Sequence, residues 1–143
     1  MLYAYKTALE VIMCDKINNG ITRIINNGTD VTIITNSEKA AIVMKASRTL
    51  VVKGISTAII ETLNYDIIDE ENILNYANKT GAVIFIDKNI YNIYIKYINK
   101  EETEVNLIDN PTIENIINET EKIVQSKLIN NRGKAFNFIH YVS

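Results

Sequence analysis

The stretch Ala82-Val83-Ile84-Phe85-Ile86-Asp87-Lys88-Asn89-Ile90-Tyr91-Asn92-Ile93-Tyr94-Ile95-Lys96-Tyr97-Ile98, with Thr103–Ile108 after it, decides the fold class. It reads as three strands: Ala82–Ile86, Tyr91–Ile98 and Thr103–Ile108. In the middle one, Tyr91, Ile93, Ile95 and Tyr97 share one face, and Asn92, Tyr94 and Lys96 share the other. That period-2 alternation suits a strand with one buried and one wetter face. The links Asp87–Asn89 and Asn99–Glu102 are short, and short links join antiparallel neighbours. The stretch therefore predicts a three-stranded antiparallel meander over about 82–108.

Toward the C-terminus, Asn110 is placed to cap a helix with Pro111 at its first position. Ile113, Ile116, Ile117, Thr120, Ile123, Val124 and Leu128 form one stripe, giving a long amphipathic helix over about 111–129. Gly133 ends it, and Ala135–Val142 is expected as a C-terminal strand with Phe136, Phe138, His140 and Val142 on one face. Toward the N-terminus, Asp69-Glu70-Glu71 opens a helix through Ile73, Leu74 and Ala77 that stops at Thr80-Gly81. Ser56–Leu63 reads as a helix and Thr49–Val52 as a short strand. Asn36 or Ser37 caps a helix over Lys39–Ala46, with a strand over Ala40–Met44 as the competitor. Ile21–Ile25 and Val31–Thr35 form a hairpin about Asn27-Gly28. A first helix, Tyr5–Asn18, rests on Tyr5, Ala8, Leu9, Ile12, Met13 and Ile17, and Gly20 stops it. The sum is an α+β fold in a single domain, 1–143.

Composition narrows the function classes. The chain has 143 residues, 47% hydrophobic and 22% charged, which is enough to bury its own core. Its net charge of −2 argues against general nucleic-acid binding, which wants a basic excess. Cys14 is the single cysteine, so no internal disulfide forms and a reducing compartment fits. The start, Met1–Lys6, lacks a basic segment leading into an apolar run, and no 18-residue apolar run occurs. The expectation is a cytoplasmic protein without membrane contact. Ile occurs 27 times and Asn 19 times against 7 Leu. Codons for Ile, Asn, Lys and Tyr are rich in A and T, which points to an AT-rich genome such as that of a phage or mobile element.

The sharpest local signal for chemistry is Val51-Val52-Lys53-Gly54-Ile55-Ser56-Thr57. A strand, a glycine turn and a helix start would aim free N–H groups at an anion. Lys53, Ser56 and Thr57 add donors, and Arg48 lies just upstream. The spacing is neither a Walker A loop nor a dinucleotide fingerprint, and the plainer reading is a turn with Ser56 as cap. Lys127, Arg132 and Lys134 gather at the end of the long helix, where cations complement its negative pole. Tyr91, Tyr94 and Tyr97, with Asn92 and Lys96, would form a sheet on which a base could stack. The lone His140 cannot build a zinc site. Cys14 reads as a packed thiol, and Asp66, Asp69, Glu70 and Glu71 as the acidic start of a helix. The ligand-binding set is thus Arg48, Lys53, Gly54, Ser56, Thr57, Tyr94 and Arg132, with no catalytic residue, metal or cofactor.

The reading this favours is a small intracellular, non-enzymatic, homo-oligomeric protein that holds or sequesters a small anionic, nucleotide-like ligand. The alternative is a protein–protein adaptor or structural subunit built on the apolar helix and strands. A further alternative is a hydrolase of a phosphorylated substrate, with His140, Glu61 and the Asp66–Glu71 acids as acid–base groups.

Overall fold

The computed structural model describes residues 19–142, with side chains described up to Asn130. Five strands form one mixed sheet: β1 (Thr22–Asn26), β2 (Val31–Asn36), β3 (Thr57–Thr62), β4 (Ala82–Phe85) and β5 (Glu104–Leu107). Four helices accompany it: α1 (Ala40–Val52), α2 (Glu70–Thr80), α3 (Lys88–Tyr94) and α4 (Ile113–Val142), with a 3-10 turn at Ile95–Tyr97. The strand order is β1-β3-β2-β4-β5, parallel throughout except for the antiparallel edge strand β1.

The meander is overturned. Ala82–Ile86 and Thr103–Ile108 do contain strands, but these run parallel, in register from Ala82 opposite Glu104 to Phe85 opposite Leu107. Parallel neighbours need a crossover of a dozen or more residues. The segment between them supplies it as α3, so Tyr91–Ile98 is helix and 3-10 turn rather than strand. Asp87 explains the switch. Its side chain accepts from the amides of Asn89 and Ile90, a helix N-cap that alternation does not reveal. Ile90 and Tyr94, four residues apart, are the positions this helix buries.

The expected hairpin also gives way, because β3 lies between β1 and β2. Asn27-Gly28 is a passage across β3 instead of a tight turn. A Cβ on Gly28 would stand 2.1 Å from the Thr57 carbonyl carbon, so only glycine lets the chain cross there. Asn26 Nδ2 donates to Thr57 O, the Asp30 amide to Ser56 O, and the Ser56 amide to Asp30 Oδ2.

The expected helix at Ser56–Leu63 is β3, buried along all six residues. A strand covered on both faces shows no alternation, and a short apolar run such as Ala58–Ile60 cannot be separated from a helix by periodicity. The expected strand Thr49–Val52 is the last turn of α1, which buries Val43, Ala46, Ser47 and Leu50 at helical spacing. The helix after Asp69 forms as expected, ending at Gly81 in the left-handed conformation, φ 70°. α4 begins at Ile113 without Asn110 as its cap. Thr112 Oγ1 accepts from the Asn115 amide, and Asn115 Oδ1 accepts from the Thr112 amide. α4 runs through Gly133 to Val142, so the C-terminal segment is helix where a strand was expected. The expected helix at Tyr5–Asn18 lies outside the described residues.

The sheet is a middle layer. One face carries α1 and α4 over Val31, Ile33, Ile59, Ala82, Ile84 and Ile86, with Val43, Ala46, Ile116 and Ile123 from the helices. The other carries α2 and α3 over Ile24, Ile34, Ile60, Val83 and Phe85, with Ile73, Ala77, Ile90 and Tyr94. Helices on both faces of a mostly parallel sheet make the molecule α/β. At the base, Lys127 Nζ donates to Asp30 O (2.6 Å) and Thr80 O (2.9 Å), tying α4 to the starts of β2 and β4.

Candidate functional site

In open parallel sheets, ligands and partners meet the strands' carboxyl ends, where neighbouring connections leave toward opposite faces. Here that point lies between β2 and β4. The chain leaves β2 for α1 on one face and leaves β4 for α3 on the other. A polar crevice of about 290 Å³ opens there, lined among others by Asn36, Glu38, Lys39, Asp87, Lys88 and Asn110. Asn110 holds a left-handed backbone, φ 51°, which asparagine tolerates better than most residues.

Asp87 organises the crevice. Asn36 Nδ2 donates to its Oδ2 (2.9 Å), the Tyr65 hydroxyl donates to the same oxygen (3.2 Å), and Oδ1 caps α3. Burial pushes the Asp87 carboxyl up, but donation from Asn36, the Ile90 and Asn89 amides and Tyr65 outweighs it and holds the group below its ordinary value. Tyr65 moves the other way. Burial, then the charge and hydrogen bond of Asp87, then the charge of Glu38 push its phenol up to about 12. The phenol therefore stays a donor to a fixed carboxylate at neutral pH. The Lys39 amide donates to Asn36 Oδ1 (2.7 Å) and so locks the Asn36 side chain.

The residues singled out by sequence do not converge. Lys53-Gly54 follows a helix and precedes a strand, the reverse of the expected order. The amides of Lys53, Gly54 and Ile55 are spent on carbonyls of the last turn of α1, so no free helix start is aimed at an anion. Lys53 Nζ pairs with Glu121 (2.7 Å). Ser56 Oγ accepts from the Thr29 amide, and Thr57 is buried with its hydroxyl 2.6 Å from Ser47 Oγ. Arg48 is exposed on α1 beside a cleft of about 210 Å³ lined by Ile25, Met44, Val51 and Ile59. Tyr94 is on the opposite side of the sheet, buried, its hydroxyl accepting from the Asp69 amide. The stacking sheet of tyrosines is absent, since Tyr91 packs edge-on against Phe85 at 5.5 Å. Glu61 is buried and paired with Arg23. Asp69 caps α2, and no group of three or more His, Cys, Asp or Glu that could hold a metal occurs among the described residues. The side chains of Cys14, Arg132, Lys134 and His140 lie outside the described part.

The mixed sheet, the two helical layers and the crevice define an α/β domain of the doubly wound kind. Residues 20–93 match the family described as transketolase, C-terminal domain, and the chain belongs to that family. Among solved structures it is similar to a split gene transketolase described as an inactive β4 tetramer, with TM-score 0.65 and 18% identity. That match covers 76% of this chain and 42% of the other. It is also similar to a 2-oxoglutarate:ferredoxin oxidoreductase from Magnetococcus marinus, with TM-score 0.59, 14% identity and coverage of 72% and 19%. A transketolase mutant from Pichia stipitis gives TM-score 0.54, 11% identity and coverage of 77% and 19%. The chain therefore spans less than half the length of these proteins. No curated protein matches it by sequence. Described residues include no helix long and apolar enough to cross a membrane.

These findings correct the functional expectation. A non-enzymatic nucleotide-sequestering protein of phage type is overturned by membership of a domain family that belongs to enzymes.

Proposed function

We propose that this chain is the C-terminal-domain unit of a larger thiamine-dependent enzyme, acting as an assembly and positioning part while the reacting groups sit elsewhere. The observation that carries this reading is the family match over 20–93. The match to one part of each relative supports it, since the chain aligns with 19% of either one. The cofactor of that class bears a diphosphate that is held through a divalent cation. The described residues do not fit it: no metal-holding cluster gathers among them, and Lys39 and Lys88 share their crevice with Glu38, Asp87 and Asp109. The cofactor accordingly belongs to other parts of the assembly. This unit contributes its rigid sheet and the polar crevice at the strand ends, where Asp87 holds a fixed negative charge. In this reading residues 1–143 form one domain, and Arg48, exposed beside its apolar cleft, is the residue best placed to meet a carboxylate of a neighbour.

Native mass spectrometry of the chain purified from its own host tests this. The expected species is an assembly containing a second kind of chain. Expressed alone, the chain is expected to self-associate without activity, in line with the β4 tetramer of the split gene relative. A host-purified species of one chain and nothing else overturns the reading.

A further inference from the structure

We propose that the crest loop Leu63–Ile68 and the adjoining flank of α2 form a docking surface for a segment whose apolar anchors are flanked by lysine or arginine. The segment belongs to the polypeptide that completes the enzyme, so the inference rests on the function proposed above. Connections between elements are normally rich in glycine, proline and small polar residues. This one exposes Leu63, Tyr65, Ile67 and Ile68, with Ile67 50% and Ile68 41% accessible. Clustered exposed apolar side chains mark interaction sites.

The loop is also held in place. The amides of Leu63 and Asn64 donate to Ile21 O, the Asp66 amide to Asn64 Oδ1, and the Tyr65 hydroxyl to Asp87. At its end, Asp69 is fixed by Asn19, Thr22 and Asn72. An anchored loop loses little entropy on binding, which favours affinity.

Charge selects the partner. Beside Ile68 a broad groove of about 700 Å³ follows α2, with Ile21, Ile68 and Leu74 as its apolar wall and Asp69, Glu70 and Glu71 as its acidic one. Among the described residues no lysine or arginine lines it. Complementary charge steers a basic-rimmed segment there. A second copy of this surface is disfavoured, because it would set Glu70 and Glu71 against their own equivalents.

The test uses the full chain with photoreactive benzoylphenylalanine in place of Ile67. The probe is an amphipathic peptide of leucine and lysine about 18 residues long, enough to form a helix; its leucine–glutamate counterpart is the comparison. The lysine probe is expected to bind, to weaken with added salt, and to cross-link at position 67. Ile68→Asp should weaken its binding about tenfold or more, while Val52→Asp, at the far end of α1, should leave it unchanged. Equal capture of the glutamate probe overturns the proposal, as does an unaffected Ile68→Asp. Cross-links that map to residues 1–18 of the same chain, or to a second copy, overturn it by showing another occupant. The two readings fail separately: lack of a second kind of chain in the host removes the assembly, and loss of the probe's preference removes the surface.

Discussion

Asp69→Ala removes one carboxylate and four hydrogen bonds at once. The side chain accepts from Asn19 Nδ2 (3.0 Å), Thr22 Oγ1, Asn72 Nδ2 (2.9 Å) and the Asn72 amide (3.2 Å). It thereby joins the start of β1 to the first turn of α2. Loss of the cap costs about 1 kcal/mol. Thr22 is wholly buried, and a buried hydroxyl left without its partner costs about 1–3 kcal/mol more. Asn19 and Asn72 reach water and add little. The sum is about 2–4 kcal/mol, and at about 3 °C per kcal/mol for a chain of this size the melting temperature falls by roughly 6–12 °C at neutral pH. Burial would raise the Asp69 carboxyl, but hydrogen bonds from Thr22, Asn19 and Asn72 outweigh it and hold the group below its ordinary value. A carboxyl lowered in the folded state stabilises above its unfolded value, about pH 4, and loses that contribution as pH falls through its folded value. The gap between wild type and Asp69→Ala should therefore be full at pH 7 and narrow below about pH 4. Asp69→Asn, which keeps one acceptor oxygen for the cap, should melt between the two. Thermal melts followed by circular dichroism across pH decide the matter. A drop under about 2 °C at pH 7, or a gap that does not shrink in acid, refutes the reasoning.

Gly28→Ala should cost more than about 3 kcal/mol, because its Cβ would stand 2.1–2.4 Å from the Thr57 and Ala58 backbone; a chemical-denaturation midpoint equal to wild type refutes that crossing. Tyr65 should ionise near pH 12 by ultraviolet titration. Asp87→Asn should bring it part of the way back, since the burial contribution remains. Lys53→Ala should change stability by about 0.5 kcal/mol or less, because its pair with Glu121 is exposed. Lys127→Met should cost about 2–3 kcal/mol by abandoning the carbonyls of Asp30 and Thr80, and equal effects of the two lysine substitutions would contradict that contrast.

What could be read from the sequence followed from local rules. Asp69 and Gly81 announced α2 because a cap and a left-handed stop are written in adjacent residues. The stripe from Ile113 to Val124 announced α4 by its helical spacing, while its ends, expected at Asn110 and Gly133, fall elsewhere. β3 was hidden because burial on both faces erases alternation, and α3 was hidden because Tyr91–Tyr97 alternates by chance while its cap lies at Asp87. The crevice stayed out of view for a further reason. Asn36 and Asp87 stand 51 positions apart, and each reads alone as turn chemistry. Only the parallel pairing of β2 with β4, from Thr32 opposite Val83 to Ile34 opposite Phe85, brings them together. The signal that was available is modest: a polar residue directly after each of two buried apolar runs.

The two outer strands have a consequence for how this chain can be built into anything larger. An uncovered strand edge is a template on which another chain can extend the sheet. β5 is only four residues long and carries Glu104 and Asn106, while β1 bears Arg23 and a bulge between Ile24 and Asn26. Shortness, charge and irregularity each spoil the template. Both margins are thus poor templates for strand addition, which favours neighbours that arrive over the helices or the crest. A unit with such margins is protected from stacking edge to edge on its own copies.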